Sequence, residues 1–487
     1  MADHFDVVVV GGGINGTGLA RDLAGRGWHV LLAEAQDLAQ HTSSSSTKLI
    51  HGGLRYLETY EFSLVRKALQ EREVLLKSAP HLIQPLRFVL PHAPHLRPAW
   101  MIRAGLFLYD HLARRELLPG SRGLTLAGSV YGAPLRPEFT RGFVYSDGWV
   151  DDARLVVANA QDARARGAEV LTRCAVTRAE RGADRWQLTL QDGRRLQSRA
   201  LVNAAGPWAE AFLRGQGLPA RGLRLVKGSH IVVDQRFAHD HAYIFQNPDG
   251  RIIFAIPYQG RFTLIGTTDV ELPDDAPPPA QAQIEAAEVD YLCEQASRYL
   301  ARPVTPADVL WTYAGVRPLL DEGGSASSVT RDYLLEADAS AAPLLNVWGG
   351  KLTTYRKLAE DGATQVGAML DGPRQPWTAG ARLPGGDLGA HGVDIAGFTA
   401  ALQARHPQRR PADVARLALA YGSVAAELLA EPAGAEVAPG LFENELRHLV
   451  EREWARSADD VLWRRSKLGL HFTPPQRESV ANWFGRR

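Results

Sequence analysis

The chain opens on an unbroken apolar run. Residues 5–10 (Phe-Asp-Val-Val-Val-Val) are mostly β-branched and read as a strand buried on both faces. After three glycines the spacing becomes helical. Leu19, Ala20, Leu23 and Ala24 share one face of a helix expected over residues 17–26, which Gly27 stops. Residues 29–33 form a second strand that ends at Glu34.

Further on, residues 43–56 read as a loop. Residues 63–79 read as a helix with Val65, Ala68, Leu69, Leu75, Leu76 and Ala79 on one side. The stretch 80–148 is rich in proline, glycine and aromatics and looks like an insertion. A helix is expected over 150–166, then short strands over 169–171, 175–179 and 187–190 and a longer apolar one over 200–204. Residues 223–334 alternate like antiparallel strands, at 229–233, 252–256 and 263–266. A strand over 344–348, a Gly349-Gly350 turn and a helix over 352–370 follow. Three prolines and six glycines mark 371–392 as a linker. Four helical runs, 393–405, 410–431, 441–470 and 476–485, make a separate small domain.

The pattern predicts an α/β fold with a Rossmann-like nucleotide-binding domain assembled from 1–80, 145–222 and 335–370. A β-rich domain would take 81–144 and 223–334, and a helical domain 393–487. A chain of 487 residues is long enough for two or three such cores. The net charge of +1 gives no global field for nucleic acid. Two cysteines support neither a disulfide framework nor a cysteine-rich metal site, and point to a reducing compartment. No secretory leader is read at the N-terminus. The best spanning candidate, residues 100–112, is interrupted by Arg103 and Asp110. Seven of the 55 basic residues are lysine, and Lys48, Lys227, Lys351 and Lys357 lie in segments rich in glycine, serine or threonine. A need for a compact ammonium is the sharper reading of that placement.

Gly11-x-Gly13-x-x-Gly16 follows a strand, opens a helix and is answered by an acid at the end of the next strand. In that setting the glycines let backbone approach a pyrophosphate, and the helix N-terminus stabilises its charge. Glu34 would accept hydrogen bonds from ribose hydroxyls, which disfavours a 2′-phosphate. No second glycine fingerprint is visible, so one large cofactor threading the domain fits best. Residues 43–47 carry five consecutive hydroxyls, and Gly52-Gly53-Leu54-Arg55-Tyr56 places a flexible backbone beside two anion-binding side chains. Gly349 to Lys357 would aim a helix start or a cation at a reduced ring system. His51 and His230 each lie inside such a segment, and either could take a hydroxyl proton. Arg55, Arg317 and Arg331 stand out among the arginines as anion partners.

These strings, with Asp147-Gly148-Trp149-Val150-Asp151-Asp152-Ala153-Arg154, Asn203-Ala204-Ala205-Gly206-Pro207-Trp208, Val226-Lys227-Gly228-Ser229-His230, Ile265-Gly266-Thr267-Thr268-Asp269, Ala314-Gly315-Val316-Arg317-Pro318-Leu319 and Gly349-Gly350-Lys351-Leu352-Thr353-Thr354-Tyr355-Arg356-Lys357, resemble the FAD-dependent glycerol-3-phosphate dehydrogenases. These belong to the D-amino-acid-oxidase-like, glutathione-reductase-type flavoproteins. The helical tail, through residues 458–465, resembles the same family. The small departure is Ala204-Ala205-Gly206, where relatives more often have Ala-Thr-Gly.

The resemblance implies noncovalent FAD, and oxidation of sn-glycerol 3-phosphate to dihydroxyacetone phosphate by hydride transfer, with electrons passed to a membrane quinone. It implies a peripheral position on inner-membrane lipid at the cytoplasmic face. It involves no nucleic acid and is compatible with a homodimer or with another oligomeric state. It places Gly11, Gly13, Ile14, Asn15, Gly16, Glu34, Ala35, Thr42, Ser43, Ser44, Ser46, Lys48, Leu49, His51, Gly52, Gly53, Ala205, Gly206, Trp208, Gly350, Lys351, Leu352 and Thr353 around FAD. Arg55, Tyr56, His230, Thr268, Arg317, Arg331 and Lys351 would hold the substrate, with His51, His230, Arg317 and Lys351 catalytic. An oxygen-reducing oxidase and an amine or amino-acid oxidase are rivals on the same fold. A flavin-containing RNA-modifying or RNA-binding protein is a rival of another class, disfavoured by the near-neutral charge. Two stretches could meet a membrane: residues 95–115, with Trp100, Met101, Ile102, Leu106, Phe107, Leu108 and Tyr109, and residues 462–470.

Overall fold

A computed structural model of the chain describes residues 3–58, 60–93, 97–273, 276, 279–321 and 332–486. Two sheets organise it. In the first, Asp3–Val10 lies between Arg195–Asn203 and Val30–Ala33, all parallel, and Leu344–Trp348 and Glu169–Leu171 extend it on either side. Leu334–Asp338 closes one edge in antiparallel fashion. Parallel strands need crossovers, and helices Ile14–Gly25, Asp152–Ala165 and Tyr355–Met369 cover one face. The hairpin of Val176–Arg181 and Trp186–Leu190 covers part of the other.

The second sheet is mostly antiparallel. Leu223–Asp234 pairs with both Phe262–Gly266 and Val309–Leu320, and Ile252–Tyr258, Ala242–Gln246, Ile83–Pro91 and Arg141–Val150 continue outward. Arg141–Val150 crosses the expected domain boundary at 144/145 as one continuous strand, and Leu49–Ile50 pairs with it. Residues 42–57, on the way from Val30–Ala33 of the first sheet to Ile83–Pro91 of the second, are thus anchored in the second sheet.

Several expected elements differ for local reasons. The first helix starts at Ile14 rather than at residue 17, because Gly13 already serves as its N-cap. The helix expected from residue 150 starts at Asp152, since Val150 is still strand and the Asp151 side chain caps the turn by accepting from Arg154 N. The region read as all strands also contains helix Ala286–Ser297. The run 410–431 divides at Gly422, where φ is +56° and a Cβ would stand 1.9 Å from the Gly385 carbonyl oxygen. The run 441–470 divides too: a helix, Glu443–Glu453, ends at Trp454 with φ +58°, and a wide π-type turn, Asp460–Arg465, follows.

The C-terminal helices have a core of their own around Leu402, Val414, Leu446 and Val461. They are joined to the first domain by buried ions. Arg154 donates two hydrogen bonds to Glu453, at 2.9 and 2.8 Å, and Arg465 grips Asp37 at 2.6 and 2.8 Å. Glu453 is fully buried, which alone would raise its pKa, yet Arg154 and His448 hold it down at about 2. A carboxylate depressed in the fold contributes stability above its unfolded pKa and loses it as acid protonates it. Glu453→Gln should therefore cost about 3–5 kcal/mol at neutral pH, because Arg154 is left buried without its partner. In the wild type the same contribution should fade between the ordinary value of 4.5 and about 2. Denaturant midpoints against pH for both proteins check this: the difference between them should shrink over that window.

Candidate functional site

The two sheets face each other across a cavity of about 630 Å³, within the range of small-molecule and cofactor sites. One end lies at the carboxyl ends of the parallel strands, where ligands bind in such sheets. Gly11 has φ +107°, and a Cβ there would come within 2.6 Å of the Ala204 carbonyl oxygen. A Cβ on Gly16 would meet the Gly11 carbonyl at 1.9 Å, so Gly16 serves helix–strand packing and does not line the cavity. Gly11, Gly13, Ile14 and Asn15 do line it.

The N-terminus of Ile14–Gly25 opens here, with Gly13 in extended conformation and no side-chain cap. Its N–H groups and dipole suit an anion without a counter-cation. Ser43 Oγ accepts from Ile14 N at 3.0 Å. Asn15 Nδ2 donates to the Gly349 carbonyl at 3.1 Å, while the buried Oδ1 has no protein partner. An orphaned acceptor beside a glycine-walled cavity is what a dinucleotide donor would satisfy. Glu34 lines the same end and accepts from Gly12 N at 2.5 Å and Gln36 N at 2.7 Å. Burial pushes its pKa up, and those backbone donors oppose the push. Ala35, Thr42, Ser43, Ser46, Leu49, Ala205, Gly206 and Trp208 complete this wall.

Beside Asn15, the turn Gly350, Lys351, Leu352 and Thr353 lies before helix Tyr355–Met369, on the cavity. Thr353 Oγ1 accepts from His51 N at 3.2 Å and joins this segment to the loop. Lys351 Nζ sits 4.0 Å from the Tyr56 ring centroid. Arg317 and Asp269 both reach the cavity and pair at 3.0 Å.

Both candidate histidines line the cavity. His230 is buried, stacks on Tyr313 at 4.7 Å and 12°, and has Nε2 2.9 Å from Thr47 Oγ1. Burial, then the charges of Lys48 and Arg317, hold its pKa well below the usual histidine value. Burial also lowers that of His51, where Asp147 pulls up and Lys351 and Arg72 push down.

Other predicted residues lie elsewhere. Lys48 is buried beneath the loop and bonded at 2.9 Å to Asp152, not to the cavity. Ser44 turns its hydroxyl to the His41 carbonyl, and Gly52 and Gly53 are buried behind the wall. Thr268 is 1% exposed; its hydroxyl accepts from Ser229 N and donates to Glu288, and its neighbours Thr267 and Asp269 face the cavity instead. Arg55 is exposed outside the cavity. Arg331 lies outside the described residues. In the sequence Thr47 is only one of five loop hydroxyls, with no histidine partner assigned, and Tyr313 is not singled out. Tyr313 stands opposite His230 on the neighbouring strand, a pairing across 83 positions that no local signal announces.

A Rossmann-type cradle on a cavity that two cations and both candidate histidines also line defines a nucleotide-dependent oxidoreductase. The chain belongs to the FAD dependent oxidoreductase family, whose model matches residues 6–356. Similar proteins include a glycerol-3-phosphate dehydrogenase of Pseudomonas aeruginosa, 51% identical over 99% of this chain and 96% of the relative. The aerobic glycerol-3-phosphate dehydrogenase of Escherichia coli is 49% identical over 98% and 97%. A D-erythritol 1-phosphate dehydrogenase of Brucella abortus is 46% identical, also over 98% and 97%. Among solved structures, the glycerol-3-phosphate dehydrogenase of Bacillus halodurans complexed with FAD superposes with a TM-score of 0.79, at 29% identity, over 99% of this chain and 90% of that one.

Gly13 offers a clean test of the cradle. A Cβ there meets only Ser43 Oγ, at 3.1 Å, and its φ of −78° suits any residue. Gly13→Leu should therefore fold but fill the approach to the pyrophosphate. The purified variant should be colourless with a wild-type circular dichroism spectrum, whereas the wild type should release FAD on denaturation. A yellow, fully loaded variant contradicts the assignment.

Proposed function

We propose that this chain oxidises sn-glycerol 3-phosphate to dihydroxyacetone phosphate and passes the electrons to a membrane quinone. The observation that carries the substrate is Arg317, a cation on the cavity wall in the same sheet as the buried, neutral His230. FAD, when bound, supplies the hydride acceptor. Arg317 holds the substrate phosphate, and Lys351 and Tyr56, which contact each other, line the same cavity. A phosphate remote from C2 orients the reacting hydrogen through binding energy. His230 accepts the hydroxyl proton as the C2 hydrogen leaves with its electron pair. Its lowered pKa keeps the imidazole neutral, hence competent as a base, at neutral pH. His51 is the second reading for the base, because it too lines the cavity and is held neutral by burial.

Quinone delivery fits helix Ala99–His111. Its Leu106 and Tyr109 are buried, whereas Trp100 is 71% and Phe107 56% exposed, with Met101 and Leu108 beside them. Tyr109 hydrogen-bonds Gly52 N, and the helix packs on Leu54–Leu57, which lines the cavity through Tyr56. Among the described residues no helix is long and apolar enough to cross a membrane. An apolar helix face flanked by arginines suits the interface of one leaflet. Of the two stretches expected to meet lipid, the tail is excluded: Leu462 and Leu468 are buried in the C-terminal core. Residues 94–96 lie outside the described residues.

Two experiments follow. Arg317→Ala should lower kcat/KM for glycerol 3-phosphate at least about tenfold, since a charge-assisted contact is worth about 1.5–3 kcal/mol. FAD content should not change, and the poor activity on glycerol should fall little further. Equal losses on both substrates would return Arg317 to the cofactor or the fold; faster turnover of erythritol 1-phosphate than of glycerol 3-phosphate would replace the substrate but keep the site. Separately, the wild type should float with anionic liposomes at low salt and Trp100→Asp/Phe107→Asp should not, with dye reduction unaffected and quinone reduction in vesicles impaired.

A further inference from the structure

We propose that Trp463, in the C-terminal helical domain, is a positioning residue for His230, acting through a column of packed aromatic rings. This rests on the reading of His230 as the base. The column starts at the base: the His230 imidazole lies 4.7 Å from the Tyr313 ring, 12° from parallel. Trp311 packs against Tyr313 at 5.1 Å, tilted by 40°, and Trp463 stacks on Trp311 at 5.0 Å and 14°. Each neighbouring pair lies within the range of attractive ring contacts.

The column is held at both ends. Tyr313 donates from its hydroxyl to the Ser46 carbonyl at 2.8 Å, and Lys48 Nζ sits 5.0 Å from its ring centroid. At the far end Gly469 lies flush with Trp463, where a Cβ would come within 2.7 Å of the indole, and the Arg477 guanidinium sits 5.4 Å from the Trp463 ring. Trp311 packs with the second sheet's core and Trp463 with the C-terminal core, so the stack is a contact between domains. Tyr313 stands opposite His230 in the strand register and its ring is the face on which the imidazole stacks, so a shift of that ring changes the support of His230. The helical domain thereby reaches the reacting centre without lining the cavity, since Trp463 is not among the wall residues.

Burial and then the charges of Lys48 on the loop and Arg317 on the adjacent strand keep His230 neutral; Asp152 pairs with Lys48 behind the loop, Tyr313 lies against the ring and Thr47 meets Nε2. Loosening the stack admits water to a ring that burial keeps neutral. Its pKa then moves up towards the ordinary value, and the pH below which the base is protonated rises with it.

The test is steady-state kinetics of the FAD-loaded enzyme across pH. Trp463→Ala should keep its FAD and its KM, lose about ten- to hundredfold in kcat, and show the acid limb of kcat/KM displaced to higher pH. Trp463→Phe, which keeps an aromatic face, should restore both. Wild-type kcat and limb in Trp463→Ala would overturn the proposal, as would equal losses in the alanine and phenylalanine variants with an unmoved limb. Should Trp463→Ala fail to fold, Trp463→Leu fills the space without an aromatic face and is judged by the same criteria. His230→Gln separates the two readings: if it keeps the wild-type limb, His230 is not the base, and Trp463 is then judged on kcat and on rescue by phenylalanine.

Discussion

The cavity depends on one buried ion pair. Asp152 and Lys48 are nearly inaccessible, and Asp152 accepts from Lys48 Nζ, Ser46 N and Ser46 Oγ. Burial alone would raise the pKa of Asp152, yet Lys48 and then Lys467 hold it down, so it stays a carboxylate. Such a pair is a poor source of net stability, because desolvation consumes most of its attraction. What it supplies is geometry. With Ser46 fixed, Ser43 reaches the helix start at Ile14, Thr42 donates to the Val316 carbonyl, Thr47 meets His230 and Tyr313 meets the Ser46 carbonyl. One loop thus touches the nucleotide cradle, the second sheet and the candidate base.

That arrangement explains what the sequence made legible. The β-turn-α-β unit was readable because its signals are local: a β-branched strand, glycines where backbone must come close, and an acid at the next strand's end. Contiguity also made Gly349 to Thr353 readable, since a strand end, a turn and a helix start follow one another. The α/β class, the FAD family and the helical tail are all visible in such patterns. Divisions inside the tail were not, because Gly422 breaks its helix through contact with the Gly385 carbonyl, 37 positions away.

Site residues failed where a side chain had to choose between two faces. Lys48 was chosen as a cation in a hydroxyl-rich loop, but a loop that crosses a protein interior has an underside, and a buried carboxylate took it. Thr268 alternates with Thr267 and Asp269, and a shift of one residue reverses which side chain meets the cavity. Glu288, on a helix that strand alternation had hidden, decided the direction by accepting the Thr268 hydroxyl. Arg55 stands one residue from Tyr56 on a tight helical turn, so only one of them can face inward.

The distribution of charge along the cavity has a consequence for selectivity. Among the described lining residues, the cationic side chains are Arg317, which pairs with Asp269, and Lys351, and neither belongs to the glycine turn at residues 11–13 or the first helix. At the cradle the available positive potential comes from backbone N–H groups and a helix dipole, with Glu34 nearby. Dipoles of that kind act over about one helical turn and demand close backbone approach, which a glycine-flanked pyrophosphate can make. A small phosphate ester has no ribose or ring to hold it there. Formal charges reach further than dipoles, so under the proposed function such an ester would be drawn to Arg317, in competition with Asp269, and not to the cofactor's subsite. On that proposal two anions could occupy one continuous cavity without exchanging places, the large cofactor held by shape and dipole and the small substrate by ionic contacts.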